Sequence, residues 1–157
     1  DKLYSEGYKN LVIDLRNNPG GDVQVVTEIA DYLMPEGVIT YFEDKSGKRK
    51  YFNSDKEFKD FNIVVLVNGY SASASELLSG ALKDSGRAKI VGTKTYGKGI
   101  VQDVYSFSDG SGMSVTTARY YTPSGKCIHE IGIEPDVYVE QTKEDIQLEK
   151  ALELFEK

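Results

Sequence analysis

Two short, unbroken apolar runs constrain this chain more than anything else in it. NLVIDL (residues 10–15) and NIVVLV (62–67) are too short for buried helices and lack the polar alternation of half-exposed strands. Runs of this length and β-branched content read as strands covered on both faces. Each leads into a turn and then into apolar residues at helical spacing. After the first comes Arg16-Asn17-Asn18-Pro19-Gly20-Gly21 and a helix over 22–34, with Val23, Val26, Ile29, Ala30 and Leu33 on one face. After the second comes Asn68-Gly69-Tyr70 and a helix over 73–83. Strand–helix–strand–helix order with continuous apolar strands implies an α/β core built on a mostly parallel sheet.

The rest of the chain elaborates that core. Residues 38–43 and 50–52 bracket Asp44-Lys45-Ser46-Gly47-Lys48, a hairpin with an exposed tip. Further strands are expected at 88–91, 100–107, 112–117 and 137–139, with Ser108-Asp109-Gly110 turning the second into the third. A helix over 144–156 closes the chain, and Leu3, Tyr4 and Tyr8 read as the tail of an amphipathic helix at its start. At 157 residues this is one domain. A net charge of −6 and a pI near 4.9 argue against a nucleic-acid surface, which needs a basic patch. Cys127 is the single cysteine, so no internal disulfide forms, and no apolar run reaches membrane-spanning length.

The chemistry concentrates at Ser71-Ala72-Ser73-Ala74-Ser75-Glu76, which opens the second helix, and at Gly97-Lys98-Gly99 further on. A serine is a weak nucleophile until a base takes its proton, and a neutral lysine can be that base. The only histidine, His129, sits in a polar loop-like stretch, so a Ser-His-Asp arrangement is thinly supported and a serine–lysine pair is sharper. Both residues have plainer readings. Ser73-x-x-Glu76 fits a capping box, and a lysine is by default a solvated surface residue. The same helix start, however, presents free N–H groups and a positive dipole end that suit a developing oxyanion. Residues 92–98 also match the first seven positions of a phosphate-binding P-loop. Gly99 then stands where a magnesium-binding hydroxyl belongs, and residues 100–105 alternate like a strand where a helix is required.

Three blocks make the pattern specific: LVIDLRNNPGG (11–21), IVVLVNGYSASASELLSGALKDSGRAKIVGTKTYGKGIVQ (63–102) and DGSGMSVTTARYYTPSGKCIHEIGIEPDV (109–137). In these blocks the chain resembles the protease core of the carboxyl-terminal processing peptidases, also called tail-specific proteases. The resemblance implies a crotonase/Clp-protease-like spiral core, with a mostly parallel sheet flanked by helices. It also implies a serine endopeptidase that cleaves protein substrates near their C-termini through an acyl-enzyme. Carried over to this sequence, the nucleophile is Ser73, the base Lys98, and the residue orienting the lysine Gln102. The oxyanion donors are the backbone N–H groups of Gly21 and Ala74, with Gly20, Glu76, Gly97 and Gly99 as structural support. No metal or other cofactor is implied.

The implied partners are protein or peptide substrates held by their C-terminal tails, with no nucleic acid and no membrane insertion of this domain; self-association is left open. The resemblance makes residues 1–157 a protease core whose upstream PDZ and N-terminal segments are absent, belonging to a parent that works outside the cytoplasm. A piece of this kind is expected to be poorly active alone. The alternative on the same fold is a catalytically inactive peptide- or ligand-binding module.

Elementary chemistry suits these roles. Free lysine titrates at about 10.4, so a lysine base has to be held neutral by its surroundings. Gln102 could hydrogen-bond such an amine without adding a charge that favours the ammonium, and a spacing of four along a strand would put it on the same face as Lys98. Proline stiffens the NNPGG turn while its glycines free the backbone to aim an N–H. After NPGG the family usually continues with apolar residues, whereas this chain has Asp22. Cys127 and His129 read as incidental.

Overall fold

The computed structural model describes residues 2–156. After a single helical turn, α1 (Lys2–Ser5), the order is β1 (Asn10–Asp14), α2 (Val23–Leu33), β2 (Gly37–Asp44), β3 (Arg49–Ser54), β4 (Asn62–Val67) and α3 (Ala74–Asp84). There follow β5 (Ala88–Gly92), β6 (Ile100–Ser106), β7 (Gly112–Tyr121), β8 (Val137–Tyr138) and α4 (Ile146–Glu153). The strands form two sheets of four. One has the order β1-β4-β5-β8 and its pairs are parallel; the other has the order β3-β2-β7-β6 and is antiparallel.

The parallel sheet explains its own sequence. Side chains alternate across a strand, so the two faces of β4 receive different residues. Ile63, Val65 and Val67 join the main core with Ala30 and Leu33 of α2 and Leu77, Leu78 and Ala81 of α3. Val64 and Leu66 point the other way, against Val91 of β5 and Ala151 of α4. Both faces are covered, which is why NIVVLV carries no polar alternation. The sequence reading of this layer holds, and the helices and strands fall within a few residues of where periodicity places them. The largest differences are α4, shorter at both ends than 144–156 and capped by the Asp145 side chain, and β7, which continues to Tyr121.

The second sheet comes from two hairpins. β2 with β3 and β6 with β7 are local pairings, as expected from their turns. The pairing that makes them one sheet is long-range: Tyr41 to Asp44 of β2 align with Tyr121 to Ala118 of β7. Tyr41 stacks on Tyr121 there, with ring centroids 4.9 Å apart.

Asp22 is the N-cap of α2, and its carboxylate accepts the amides of Gln24 (2.7 Å) and Val25 (3.2 Å). That role accounts for a polar residue directly after the glycine pair. Arg16, at the end of β1, reaches Asp14 (2.6 Å) and Asp145 (2.6 Å) and ties the first strand to the start of the last helix. Both carboxyls are held below the usual carboxylate range, first of all by their hydrogen bonds to the Arg16 guanidinium.

Candidate active site

The site forms where the loops following β1, β4 and β5 converge. In an α/β sheet such loops at the carboxyl ends of the strands are where ligands bind. The first two loops are stitched together by short polar contacts. Asn17 and Asn68 exchange hydrogen bonds, each 3.0 Å. The Asn18 carbonyl accepts from Ala72 N (3.0 Å) and from the Ser75 hydroxyl (3.1 Å). The Ser71 hydroxyl, fully buried, donates to the Leu15 carbonyl (2.7 Å) and accepts from Asn68 N (2.9 Å).

Those contacts separate the three serines of the motif. Ser71 and Ser75 spend their hydroxyls on the loop framework. Ser73 is the N-cap residue of α3, in a capping-box arrangement with Glu76, yet its hydroxyl makes no cap hydrogen bond. The Glu76 amide bonds to the Ser73 carbonyl (2.9 Å) and the Ser73 amide to Glu76 Oε2 (2.9 Å), which leaves the Ser73 hydroxyl available. Ser73 also has φ of 56° with ψ of −117°, a region that costs an L-residue of order 1–3 kcal/mol. Such strain persists only where surrounding contacts hold it.

Gly20 lies directly against this turn. Its φ is 101°, and a Cβ there would sit 2.7 Å from the Ala72 carbonyl, 2.8 Å from Ala74 N and 2.9 Å from Ser73 Cβ. Only a glycine permits that approach, so the Gly20-Gly21 turn and the Ser73-Ala74 peptide are brought together. A groove lined by Gly20, Gly21, Val25, Ile29, Ala74 and Leu78 opens beside them.

Glu76 is the hub of the site. It is fully buried, and its carboxylate accepts four hydrogen bonds. Oε1 takes the Thr95 hydroxyl and Gly97 N, both at 2.6 Å; Oε2 takes Ser73 N at 2.9 Å and Lys98 N at 2.8 Å. One oxygen therefore holds the backbones of Ser73 and Lys98 to a common point. Thr95 passes the network on by accepting Ile133 N at 2.7 Å. The capping motif was legible in the sequence, but its reach to residues 95–98 was not, because only the fold sets the loop after β5 over the start of α3.

The glycines flanking Lys98 serve packing. A Cβ at Gly97 would meet Gly132 N at 3.1 Å, and one at Gly99 would lie 2.5 Å from His129 N. The close approach they permit is to residues 128–132. Lys98 itself is exposed, and its amine makes no hydrogen bond or ion pair among the described residues. The strand argument for Gln102 needs correction: β6 begins at Ile100, so Lys98 stands in the loop before it, outside the alternation of the strand. The Gln102 side chain is exposed and makes no hydrogen bond to Lys98 among the described residues. His129 has a buried Nδ1 without a hydrogen-bond partner, and Cys127 is a free, half-buried thiol. Because a strand follows Lys98, the P-loop reading fails on backbone geometry.

Comparisons with known proteins agree with this architecture. A carboxyl-terminal-processing protease of Synechocystis sp. is 43% identical over 98% of this chain, and a CtpA-like serine protease of Staphylococcus aureus is 42% identical over 90% of it. The solved structure of a photosystem II D1 C-terminal processing protease superposes over 99% of the chain with a TM-score of 0.84 and 41% identity. The chain spans 38%, 29% and 41% of those three proteins, respectively. Residues 1–139 match peptidase family S41, and the chain belongs to that family.

Proposed function

We propose that this chain is the catalytic core of a serine endopeptidase in which Ser73 is the nucleophile, Lys98 the general base and Gln102 the residue that orients the lysine. Neutral Lys98 Nζ takes the Ser73 proton as Oγ attacks the scissile carbonyl. The tetrahedral oxyanion accepts the N–H groups of Gly21 and Ala74, which stabilise charge only as it develops. The C–N bond then breaks, the departing amine receives the proton from Lys98, and an acyl-enzyme remains on Ser73. A water deprotonated by Lys98 then attacks the ester carbonyl, the acyl C–Oγ bond breaks, Ser73 Oγ takes the proton back from Lys98, and the carboxylic product leaves. Substrates are proteins engaged near their C-termini, as the names of the relatives indicate, and the parent protein acts outside the cytoplasm, as the family resemblance implies.

One observation carries the reading most: a single buried carboxylate oxygen, Glu76 Oε2, accepts the backbone amides of both Ser73 and Lys98. That arrangement registers two residues distant in sequence, and it leaves the Ser73 hydroxyl unengaged. The Lys98 side chain is exposed and makes no hydrogen bond to Ser73 Oγ, so to act as the base it must fold over Ser73 and shed its water, the desolvation that favours a neutral amine.

The test is peptide hydrolysis by the full-length protein carrying Ser73→Ala, Lys98→Ala or both. Each single change abolishes turnover, and the double variant is no worse than either, because the pair acts as one unit. A Lys98→Ala protein retaining more than a tenth of the wild-type rate would refute the mechanism.

A further inference from the structure

Tyr120 has no role in the reaction described above, yet it touches both halves of the proposed dyad. It lies near the end of β7, almost wholly buried, with its ring against Phe42 of β2. Its hydroxyl reaches out of the antiparallel sheet, and its single proton is shared between the Ser73 carbonyl, at 2.9 Å, and the Lys98 carbonyl. Its backbone N–H donates to the neighbouring Gly99 carbonyl at 3.0 Å. Burial, reinforced by the Glu76 carboxylate, pushes the phenol ionisation well above its ordinary value, so the hydroxyl stays a neutral donor at any working pH.

The geometry of the peptide unit gives this contact a consequence. In a trans peptide the C=O and the following N–H are coplanar and point in opposite directions. Whatever grips the Ser73 carbonyl therefore also aims the Ala74 N–H. That carbonyl accepts the Glu76 and Leu77 amides, each at 2.9 Å, from its own helix; Tyr120 is the donor that reaches it from the other sheet. Glu76 and Tyr120 thus act on the same pair from opposite poles. The carboxylate holds the N–H groups of Ser73 and Lys98, and the phenol holds their carbonyls.

We propose that Tyr120 is a positioning residue for proteolysis: its hydroxyl sets the Ser73–Ala74 peptide plane, and with it the Ala74 oxyanion donor, against the Lys98–Gly99 backbone. The inference rests on the Ser73–Lys98 reading. It adds that the second sheet is part of the catalytic apparatus, and that β7 must dock for the oxyanion donor to be aimed.

Tyr120→Phe in the full-length protein removes the hydroxyl and keeps the ring. Active sites are titrated with a serine-reactive fluorophosphonate, and kcat and KM are measured on a peptide substrate. The kcat per titrated site falls about 10- to 100-fold while KM stays within about twofold, since misaligning one oxyanion donor costs rate and not ground-state affinity. Because the rate is read per titrated site, a variant recovered in low yield still decides the question. A rate per site within about threefold of wild type overturns the proposal, and so does a loss that lies entirely in KM or in the number of titratable sites. Ser73→Ala and Lys98→Ala, assayed alongside, separate this result from the reading beneath it. Activity in either refutes the dyad, whereas loss in both with Tyr120→Phe unimpaired refutes only the role of Tyr120.

Discussion

Replacing Glu76 by glutamine is the most demanding test of the site, because it keeps shape and removes one acceptor. Each carboxylate oxygen accepts two donors, so the amide cannot satisfy all four whichever way it turns. With Nε2 in the place of Oε2 it would face the amides of Ser73 and Lys98, leaving two buried donors without acceptors. With Nε2 in the place of Oε1 it faces Gly97 N and the Thr95 hydroxyl. The hydroxyl can rotate to accept, while its lone pairs are already shared with Ile133 N. The second orientation is therefore preferred, with one orphaned amide. An unsatisfied buried donor costs about 1–3 kcal/mol, and losing charge assistance on the remaining bonds adds about 1 kcal/mol each. The amide is cheaper to bury than a carboxylate, which offsets part of this. The expected net loss is about 2–4 kcal/mol, a large share of the ~5–15 kcal/mol that holds a domain together. The chain has no tryptophan, so urea unfolding is followed by far-UV circular dichroism, with kcat/KM measured in parallel. Catalysis falls further than stability, since the loop carrying Lys98 loses its register with Ser73. A stability loss under about 1 kcal/mol together with unaltered kcat/KM would show that Glu76 is not the hub.

Three further outcomes follow from particular contacts. Gly20→Ala places a methyl within 3 Å of three atoms of the Ser73 turn at a positive φ, so it lowers the thermal midpoint and abolishes turnover; wild-type activity would mean the turn is not packed as described. Asp14 and Asp145 titrate below their unfolded values through Arg16, so their contribution to stability is present above about pH 4 and fades as pH falls through the folded-state values. Arg16→Ala therefore destabilises the domain at pH 7 and much less at pH 2, read as urea midpoints; an equal penalty at both would refute the linkage. Gln102→Glu moves the acid limb of kcat/KM to higher pH, because a carboxylate beside the base favours its ammonium, and an unmoved profile would show that Gln102 does not reach Lys98.

Much of this protein was decided locally and could be read from the chain itself. The unbroken runs of β1 and β4, the helical spacing behind Ala30 and Leu33, and the hairpin turns at residues 44–48 and 108–110 are short-range consequences of side-chain shape and hydrophobicity. So was the capping box of Ser73 and Glu76, and the glycine pair at Gly20-Gly21 announced a backbone free to aim an N–H. What approaches what was a different matter. That β2 pairs with β7, that Glu76 accepts amides from the loop after β5, that Tyr120 reaches Ser73 from the other sheet, and that Asp145 meets Arg16 are all pairings across long stretches of chain. No periodicity encodes them, because a buried acceptor is satisfied by whichever donor the packed elements bring to it. Lys98 shows the same limit: its spacing to Gln102 suggested one strand, while the loop's packing on residues 128–132 put it ahead of the strand's first residue. Residue types and their local periods determined the elements and the chemistry available; tertiary packing alone decided which hydroxyl was left free and which backbones were held beside it.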